Sequence, residues 1–474
     1  MARTIMIDPV TRIEGHSKIT IQLDDRGEVA DARFHVTQFR GFEKLCEGRP
    51  YTEMPSLMAR TCGICPVSHL VAAAKACDEI MAVRIPETAG KLRRIMNLAQ
   101  IIQSHALSFF HLSSPDLVLG FDADPAKRNI LGLAESHVEM AKDGIWLRKF
   151  GQQVIEMLGG KRVHPSWIVP GGVNKPLDPA IREAILARIP EAVTIIQRTL
   201  DWYKTVYAKY VDEIETFANF PSLFMGLVSG DDNLEHYDGT LRVVDSRRKI
   251  IDEGIKASDY QDYIAEAVEP DSYLKSPYYK IMGYPGGIYR VGPLARLNVA
   301  ERCGMPKAAV ELFAFKKLSK GAVLSSFHYH YARLIEILYG LERMEQLLNE
   351  PDILGTQVRA HAGPNQAEGV GISEAPRGIL IHHYRVDENG LVRWANLIIA
   401  TGHNNLAMNQ GIKQAAKFFI KKDKIAEGAL NRVEAVIRCF DPCLSCSTHA
   451  LGKMPLHLQL IGPGGEMLDH QTRN

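Results

Sequence analysis

Four of the chain's eight cysteines fall into two C-x-x-C pairs, Cys62 with Cys65 and Cys443 with Cys446. Two thiolates at this spacing can chelate one metal, and soft sulfur ligands favour zinc, copper(I), nickel or iron–sulfur clusters. An ordinary zinc ribbon separates its pairs by about 15–20 residues. Here the pairs stand near opposite ends of a 474-residue chain, so a metal joining them needs a large preformed body. Charged residues crowd both pairs: Arg60 and His69 beside the first, Arg438, Asp441 and His449 beside the second. A purely structural zinc site has little use for them. Spacing alone leaves both a structural zinc or iron–sulfur staple and a reactive metal centre open. The other cysteines, Cys46, Cys77, Cys303 and Cys439, are scattered and read as structural thiols.

The elements that must carry these residues follow from periodicity. Alternating apolar runs flank Asp24-Asp25-Arg26-Gly27 and predict an N-terminal hairpin. From Pro86 to Ser113-Ser114-Pro115 the apolar residues recur at helical spacing. Further helices are predicted from Ile145 to Leu158, from Asp178 to Phe217, over 306–350 and over 408–430. Residues 164–177 read as a structured loop, 221–300 as an irregular insertion with short strand-like pieces, and 366–402 as strands around Asp387-Glu388-Asn389-Gly390. The expected fold is α+β and mainly α, a central long-helix bundle with small peripheral sheets. No linker or repeat interrupts it, so one large domain is expected.

Composition narrows the function classes. The chain has 56 basic and 55 acidic side chains and a formal charge of +1, which leaves no footprint for nucleic acid or an anionic membrane. No run of 18 apolar residues predicts a membrane span, and MARTIMIDPV lacks the apolar core of a secretory signal. A cytoplasmic location is expected. Apart from the two pairs, no four cysteines stand at iron–sulfur spacing. No dinucleotide G-x-G-x-x-G or phosphate loop is present either.

The motifs Arg60-Thr61-Cys62-Gly63-Ile64-Cys65-Pro66-Val67-Ser68-His69 and Asp441-Pro442-Cys443-Leu444-Ser445-Cys446-Ser447-Thr448-His449 resemble the two signatures of the nickel–iron hydrogenase large subunit. The resemblance extends to Arg12-Ile13-Glu14-Gly15-His16 and Glu374-Ala375-Pro376-Arg377-Gly378, and so covers essentially the whole chain. Arg40-Gly41-Phe42-Glu43-Lys44, residues 284–298 and residues 441–452 carry a finer likeness to the soluble, bidirectional, NAD-linked hydrogenases.

That resemblance implies the hydrogenase large-subunit fold and reversible heterolytic cleavage of hydrogen. It implies a nickel–iron centre whose iron carries one carbonyl and two cyanides. Cys62 and Cys443 would be terminal nickel ligands, and Cys65 and Cys446 would bridge nickel to iron. Glu14 would relay protons, because cleaving hydrogen needs a nearby base. Arg377 would offer fixed positive charge over the metals, with Asp441 orienting it and Pro376 shaping the wall. His69 would hydrogen-bond a bridging sulfur. Glu43, His449 and, through its backbone carbonyl, Leu397 would hold a magnesium ion. Ser104, before His105, departs from the many respiratory relatives that have aspartate there, so that aspartate's role does not transfer.

The resemblance also implies partners and processing. Electrons would leave through an iron–sulfur small subunit to reach NAD by way of flavin- and iron–sulfur-bearing diaphorase subunits. Nickel-insertion proteins and a maturation endopeptidase would act on the precursor. Cleavage would fall at His449–Ala450, leaving 1–449 as the working domain and removing 450–474. The tail, foldable as a small hairpin, would hold the second cysteine pair open until nickel enters. Two rival readings remain: a non-catalytic electron-transfer relative on the same scaffold, and a zinc-stapled assembly protein.

Overall fold

The computed structural model describes residues 3–421, 426–448, 456–464 and 466–473. The chain opens with an antiparallel sheet of β1 (Arg3–Ile7), β2 (Ser17–Leu23) and β3 (Val29–Val36), in that order. The expected turn between β2 and β3 is closed by the Asp24 carboxylate, which accepts the amides of Arg26 and Glu28. Alternation puts Ile19, Ile21 and Phe34 on the buried face.

The helical mass follows. The labelled helices are α1 (Phe42–Cys46), α2 (Pro66–Met81), α3 (Glu87–Ala106), α4 (Val138–Gly159), α5 (Ile189–Val206), α6 (Tyr329–Leu348), α7 (Asn405–Phe419) and α8 (Glu427–Phe440). Helix α3 packs against α4 and α6, and α6 packs against α5. Their apolar faces meet in one large core that also takes in the N-terminal sheet, through β3 on α7. None of the described helices is long and apolar enough to cross a membrane.

Several boundaries differ from the sequence expectation, each for a local reason. The run 178–217 is not continuous. It breaks at Arg188 and restarts as α5 with Pro190 in the first turn, where a missing N–H costs nothing. Helix α4 starts at Val138, well before Ile145, and 306–350 divides into Pro306–Lys316 and α6. The stretch 408–430 is two helices, and the second, α8, runs on to Phe440 and delivers the second cysteine pair. Within 164–177 a minimal hairpin pairs Ile168–Val169 with Gly172–Val173.

Residues 221–300 are no irregular insertion. They form β4 (Leu223–Val228), β5 (Thr240–Val244), β6 (Ile250–Ile255) and β7 (Tyr289–Arg290), ordered β7-β4-β5-β6 with β7 parallel to β4. Strand β4 is buried along its whole length, so it shows no alternation and hides from a period-two search. This sheet packs on a third, made of β8 (Glu368–Ala375), β9 (Gly378–Val386) and β10 (Val392–Ile398). Along β9, Ile379 and Ile381 face the second sheet, whereas Leu380 and Tyr384 face α2 and the cysteines. The third sheet is therefore internal and supports the site. Helix α2 lies against β8 so closely that a Cβ on Gly371 would fall 2.0 Å from the Ala72 carbonyl oxygen.

Past the second pair, β11 (Leu456–Ile461) and β12 (Met467–Arg473) form the antiparallel hairpin expected of the tail.

Candidate metal centre

The first cysteine pair occupies the loop between a short helix, Met54–Ala59, and α2. Cys62 Sγ accepts the amides of Ile64 at 3.3 Å and Cys65 at 3.2 Å, which folds the loop around the sulfur. Helix α3 clamps this loop from outside: the side-chain amides of Gln100 and Gln103 both donate to the Ile64 carbonyl at 2.6 Å. Cys65 is the N-cap of the 16-residue α2, with Pro66 at the first turn. The helix dipole there favours a thiolate.

The second pair is set by the end of α8. Asp441 terminates that helix in the left-handed region, φ 53°, a conformation aspartate tolerates better than most residues. The chain then turns into the short helix Leu444–Ser447. Thr401 Oγ1 accepts the Cys443 amide at 2.9 Å, and the Glu14 carbonyl accepts the Leu444 amide at 3.2 Å. Glu14 itself follows β1 in a loop pinned by Arg12, whose guanidinium reaches Asp116 at 2.6 Å and the Leu112 carbonyl at 2.9 Å. Gly15, at φ 92°, lies against Leu444: a Cβ there would fall 2.6 Å from the Leu444 Cβ.

These loops bring all four cysteines together. Their sulfurs lie within 4.8 Å of one another, and Cys62 Sγ is 3.3 Å from Cys443 Sγ. All four are free and buried. Among the described residues this is the one such group able to hold a metal ion. Four buried sulfurs cannot all ionise unaided. Cys65 is held well below the ordinary thiol range by hydrogen bonds from Cys443, Cys446, Cys62 and His69, whereas burial pushes Cys443 and Cys446 well above it. A metal cation is the partner that relieves this, and an all-sulfur donor set suits a soft one. The donors therefore fit the nickel centre that the sequence implies.

Charged residues surround the cluster. Arg377 sits at the tip of the β8–β9 hairpin, and its guanidinium donates to the Asp441 carbonyl and lies 3.2 Å from the Asp441 carboxylate. Burial opposes the charge on Arg377, but Asp441 and the cysteine sulfurs hold its pKa well above the ordinary value. Burial likewise raises Asp441, against the pull of Arg377 and Arg333. Ser104 Oγ accepts weakly from Arg377 at 3.4 Å. Pro376 is buried beside Arg377. Glu14 is half-buried; its carboxylate accepts the Ser445 amide at 3.1 Å and the Ser445 hydroxyl. Arg60, by contrast, is exposed, while Arg438 is buried on Asp116 at 3.1 Å.

Glu43 on α1 is buried, and burial pushes its carboxyl up to about 7 despite Lys275 at 3.7 Å. One oxygen accepts the Leu397 amide at 2.9 Å, and the other has no partner. Lys275 and Leu397, both in contact with Glu43, also line a cavity of about 10 Å³ together with Glu266 and Ser447. An orphaned buried carboxylate oxygen suits a hard dication. His449 and Ala450 lie outside the described residues. The sulfurs are gathered in a chain that carries β11 and β12. The contacts of Leu444 with Glu14 and of Cys443 with Thr401 suffice to place that pair.

Sequence reasoning missed the second layer of the site. Arg296, buried in the helix Pro293–Val299, donates to Glu336 twice at 2.6 Å, to Glu374 at 2.7 Å, and to the carbonyls of Ala375 and Pro376. It thereby fixes the turn that presents Arg377. His105 adds a 2.7 Å bond to Glu336. Arg296 lies within the stretch 284–298 that carried the finer resemblance, so a signal existed without a role. His382 meets His69 at 3.1 Å. His328 and His330 are buried, with pKa values pushed down by burial to about 4 and about 3.

Comparison with known proteins agrees with this geometry. Residues 40–144 and 237–449 match the family model described as nickel-dependent hydrogenase, and residues 4–39 match one described as HoxL-like. The chain is 42% identical to the NAD-reducing hydrogenase HoxS subunit beta of Cupriavidus necator, over 100% of both chains. It is also 42% identical to a chain of the vhu F420-non-reducing hydrogenase of Methanocaldococcus jannaschii, over 88% of this chain and 99% of that one. Among solved structures, an NAD+-reducing NiFe-hydrogenase in the H2-reduced state superposes with a TM-score of 0.91 at 46% identity, covering 94% of this chain and 99% of that one. The Ni-Fe-Se hydrogenase of D. vulgaris Hildenborough superposes with a TM-score of 0.77 at 26% identity, over 95% and 100%. The chain belongs to the nickel-dependent hydrogenase family.

Proposed function

We propose that this chain is the catalytic large subunit of a heteromeric nickel–iron hydrogenase that splits hydrogen reversibly into two protons and two electrons. The observation that carries the reading is the gathering of Cys62, Cys65, Cys443 and Cys446 beside the Arg377–Asp441 pair and Glu14. Cys62 and Cys443 would hold nickel terminally, and Cys65 and Cys446 would bridge it to iron. A bound nickel–iron centre, its iron carrying one CO and two CN, would supply the electron acceptor for hydrogen. Glu14 takes up a proton next to Cys443 and, being half-buried, hands it towards the surface. Arg377 keeps its charge and holds a fixed positive field over the centre. Asp441 fixes the plane of that guanidinium, Pro376 limits access, and His69 donates to Cys65. A zinc staple or an electron-transfer relative gives these charged groups no task.

Glu43, His449 and the carbonyl of Leu397 would hold a magnesium ion. Residues 1–449 form the working domain and 450–474 are removed on maturation, by an endopeptidase that follows nickel insertion. Two facts support this: the family match ends at 449, and the solved relatives are covered over 99–100% of their own length by 94–95% of this chain. A mass spectrum of active enzyme retaining Ala450–Asn474 would overturn it. With no cluster or dinucleotide motif of its own, the chain passes electrons to an iron–sulfur small subunit. Flavin-bearing diaphorase subunits then reduce NAD+, the acceptor named for the relative in Cupriavidus necator. The complex is expected to be cytoplasmic. The test is hydrogen-dependent NAD+ reduction by the purified complex, with hydrogen–deuterium exchange measured alongside. Exchange and NADH formation are expected, and a metal-loaded complex that does neither refutes the reading.

A further inference from the structure

Behind Cys65 three buried polar side chains line up. His69 stands one helical turn after Cys65 on α2, so its ring leans back towards the sulfur. His69 Nδ1 is 3.1 Å from His382 Nε2, and His382 Nδ1 is 2.6 Å from the Tyr384 hydroxyl. The three residues are at most 1% exposed, and the two rings of the histidine pair lie 5.3 Å apart. His382 and Tyr384, two apart on β9, share the face turned towards α2.

The proton positions follow from donor and acceptor counting. A neutral imidazole has one donor and one acceptor nitrogen. A sulfur that carries negative charge, whether as free thiolate or as metal ligand, repels a nitrogen lone pair, so His69 must aim Nε2–H at it. Its Nδ1 must then accept, which puts the proton of His382 on Nε2. His382 Nδ1 must accept in turn, and the Tyr384 hydroxyl supplies that proton. Every hydrogen bond in the chain therefore points towards Cys65.

We propose that Tyr384 and His382 are positioning residues: by locking the tautomers in this buried chain they orient His69 as donor to the Cys65 sulfur, and so set how much electron density that sulfur gives its metals. The proposal rests on the reading of the four cysteines as a nickel–iron centre. Hydrogen bonding to the sulfur withdraws density from it, so loss of the chain enriches the iron and weakens the bonds of its diatomic ligands.

The test is infrared spectroscopy of the purified, reduced complex for the parent, Tyr384→Phe, His382→Gln and the double variant, with metal content measured in each. Tyr384→Phe keeps the ring and its packing. The carbonyl and cyanide bands are expected to move to lower frequency in Tyr384→Phe and further in His382→Gln, at unchanged metal content. Because Tyr384 acts only through His382, the double variant should match His382→Gln alone. A merely structural role would leave the bands in place. Bands at parental positions in Tyr384→Phe, or additive shifts in the double variant, overturn the proposal. Absence of such bands in the parent overturns the metal-centre reading instead.

Discussion

Glu14→Gln separates a proton-carrying role from a structural one. The carboxylate accepts the Ser445 amide at 3.1 Å and the Ser445 hydroxyl, and the Glu14 main chain accepts the Leu444 amide at 3.2 Å. The amide keeps one acceptor oxygen and leaves the main-chain contact untouched, but it cannot take up a proton. A hydrogen bond to a charged group contributes ~1.5–3 kcal/mol and a neutral one ~1 kcal/mol. At this half-buried position the structural loss is therefore about 1 kcal/mol, roughly 2 °C or less in Tm for so long a chain. A lost general acid–base group costs about 10²–10⁴ in rate, or ~2.7–5.5 kcal/mol of barrier. Kinetics should therefore suffer far more than stability. Hydrogen–deuterium exchange and hydrogen-dependent NAD+ reduction should both fall about 10²-fold or more, while nickel and iron stay at parental content. Parental exchange in a fully loaded Glu14→Gln complex would refute the relay.

Other perturbations test other links. Arg377→Lys cannot reproduce the two-point grip on the Asp441 carbonyl and carboxylate, and should lower kcat by about 10²–10³-fold at unchanged metal content; turnover with metal analysis checks it. Gly371→Ala should destabilise by about 1–3 kcal/mol and loosen the seat of Cys65, because the new Cβ falls on the Ala72 carbonyl. Gly90→Ala in α3, which meets only Ile85 at 3.8 Å, should be neutral or stabilising, and urea denaturation of the two variants checks both expectations. Burial holds His328, His330 and His403 at about 4, 3 and 3, against ~6.5 in the unfolded chain. The unfolded state thus binds more protons between those values, so stability rises with pH there and is lost on acidification below ~6.5. Each histidine removes up to ~1.4 kcal/mol per pH unit. Urea midpoints at pH 7.5, 6.5 and 5.5 should fall in that order, and equal midpoints would contradict the account.

How much of this was legible in the sequence depends on whether a signal is local. The hairpin at Asp24–Gly27 and the spacing of α3 are local patterns, and the fold follows them. The helix break at Pro190 was equally local but was overridden by the longer apolar run around it. The strand β4 was not legible, because burial on both faces erases the alternation that marks a strand. At the site, the C-x-x-C pairs announce a chelating chemistry on their own. Their convergence on one point is a tertiary fact, set by α3 gripping Ile64, by Asp441 in the left-handed region, and by Leu444 pairing with Glu14. The supporting layer of Arg296, Glu336, His382 and Tyr384 has no spacing that singles it out. A buried arginine or histidine looks like any other until partners such as Glu336 for Arg296 and His69 for His382, 40 and 313 residues away, are folded onto it.

The central claim is that four cysteines hold nickel and iron for hydrogen chemistry. Elemental analysis joined to an infrared spectrum of the anaerobically purified complex tests it most directly. The account predicts nickel, with iron in excess of it because of the iron–sulfur partners, and one carbonyl and two cyanide bands that vanish in Cys446→Ser. Zinc in place of nickel, without those bands, would contradict it.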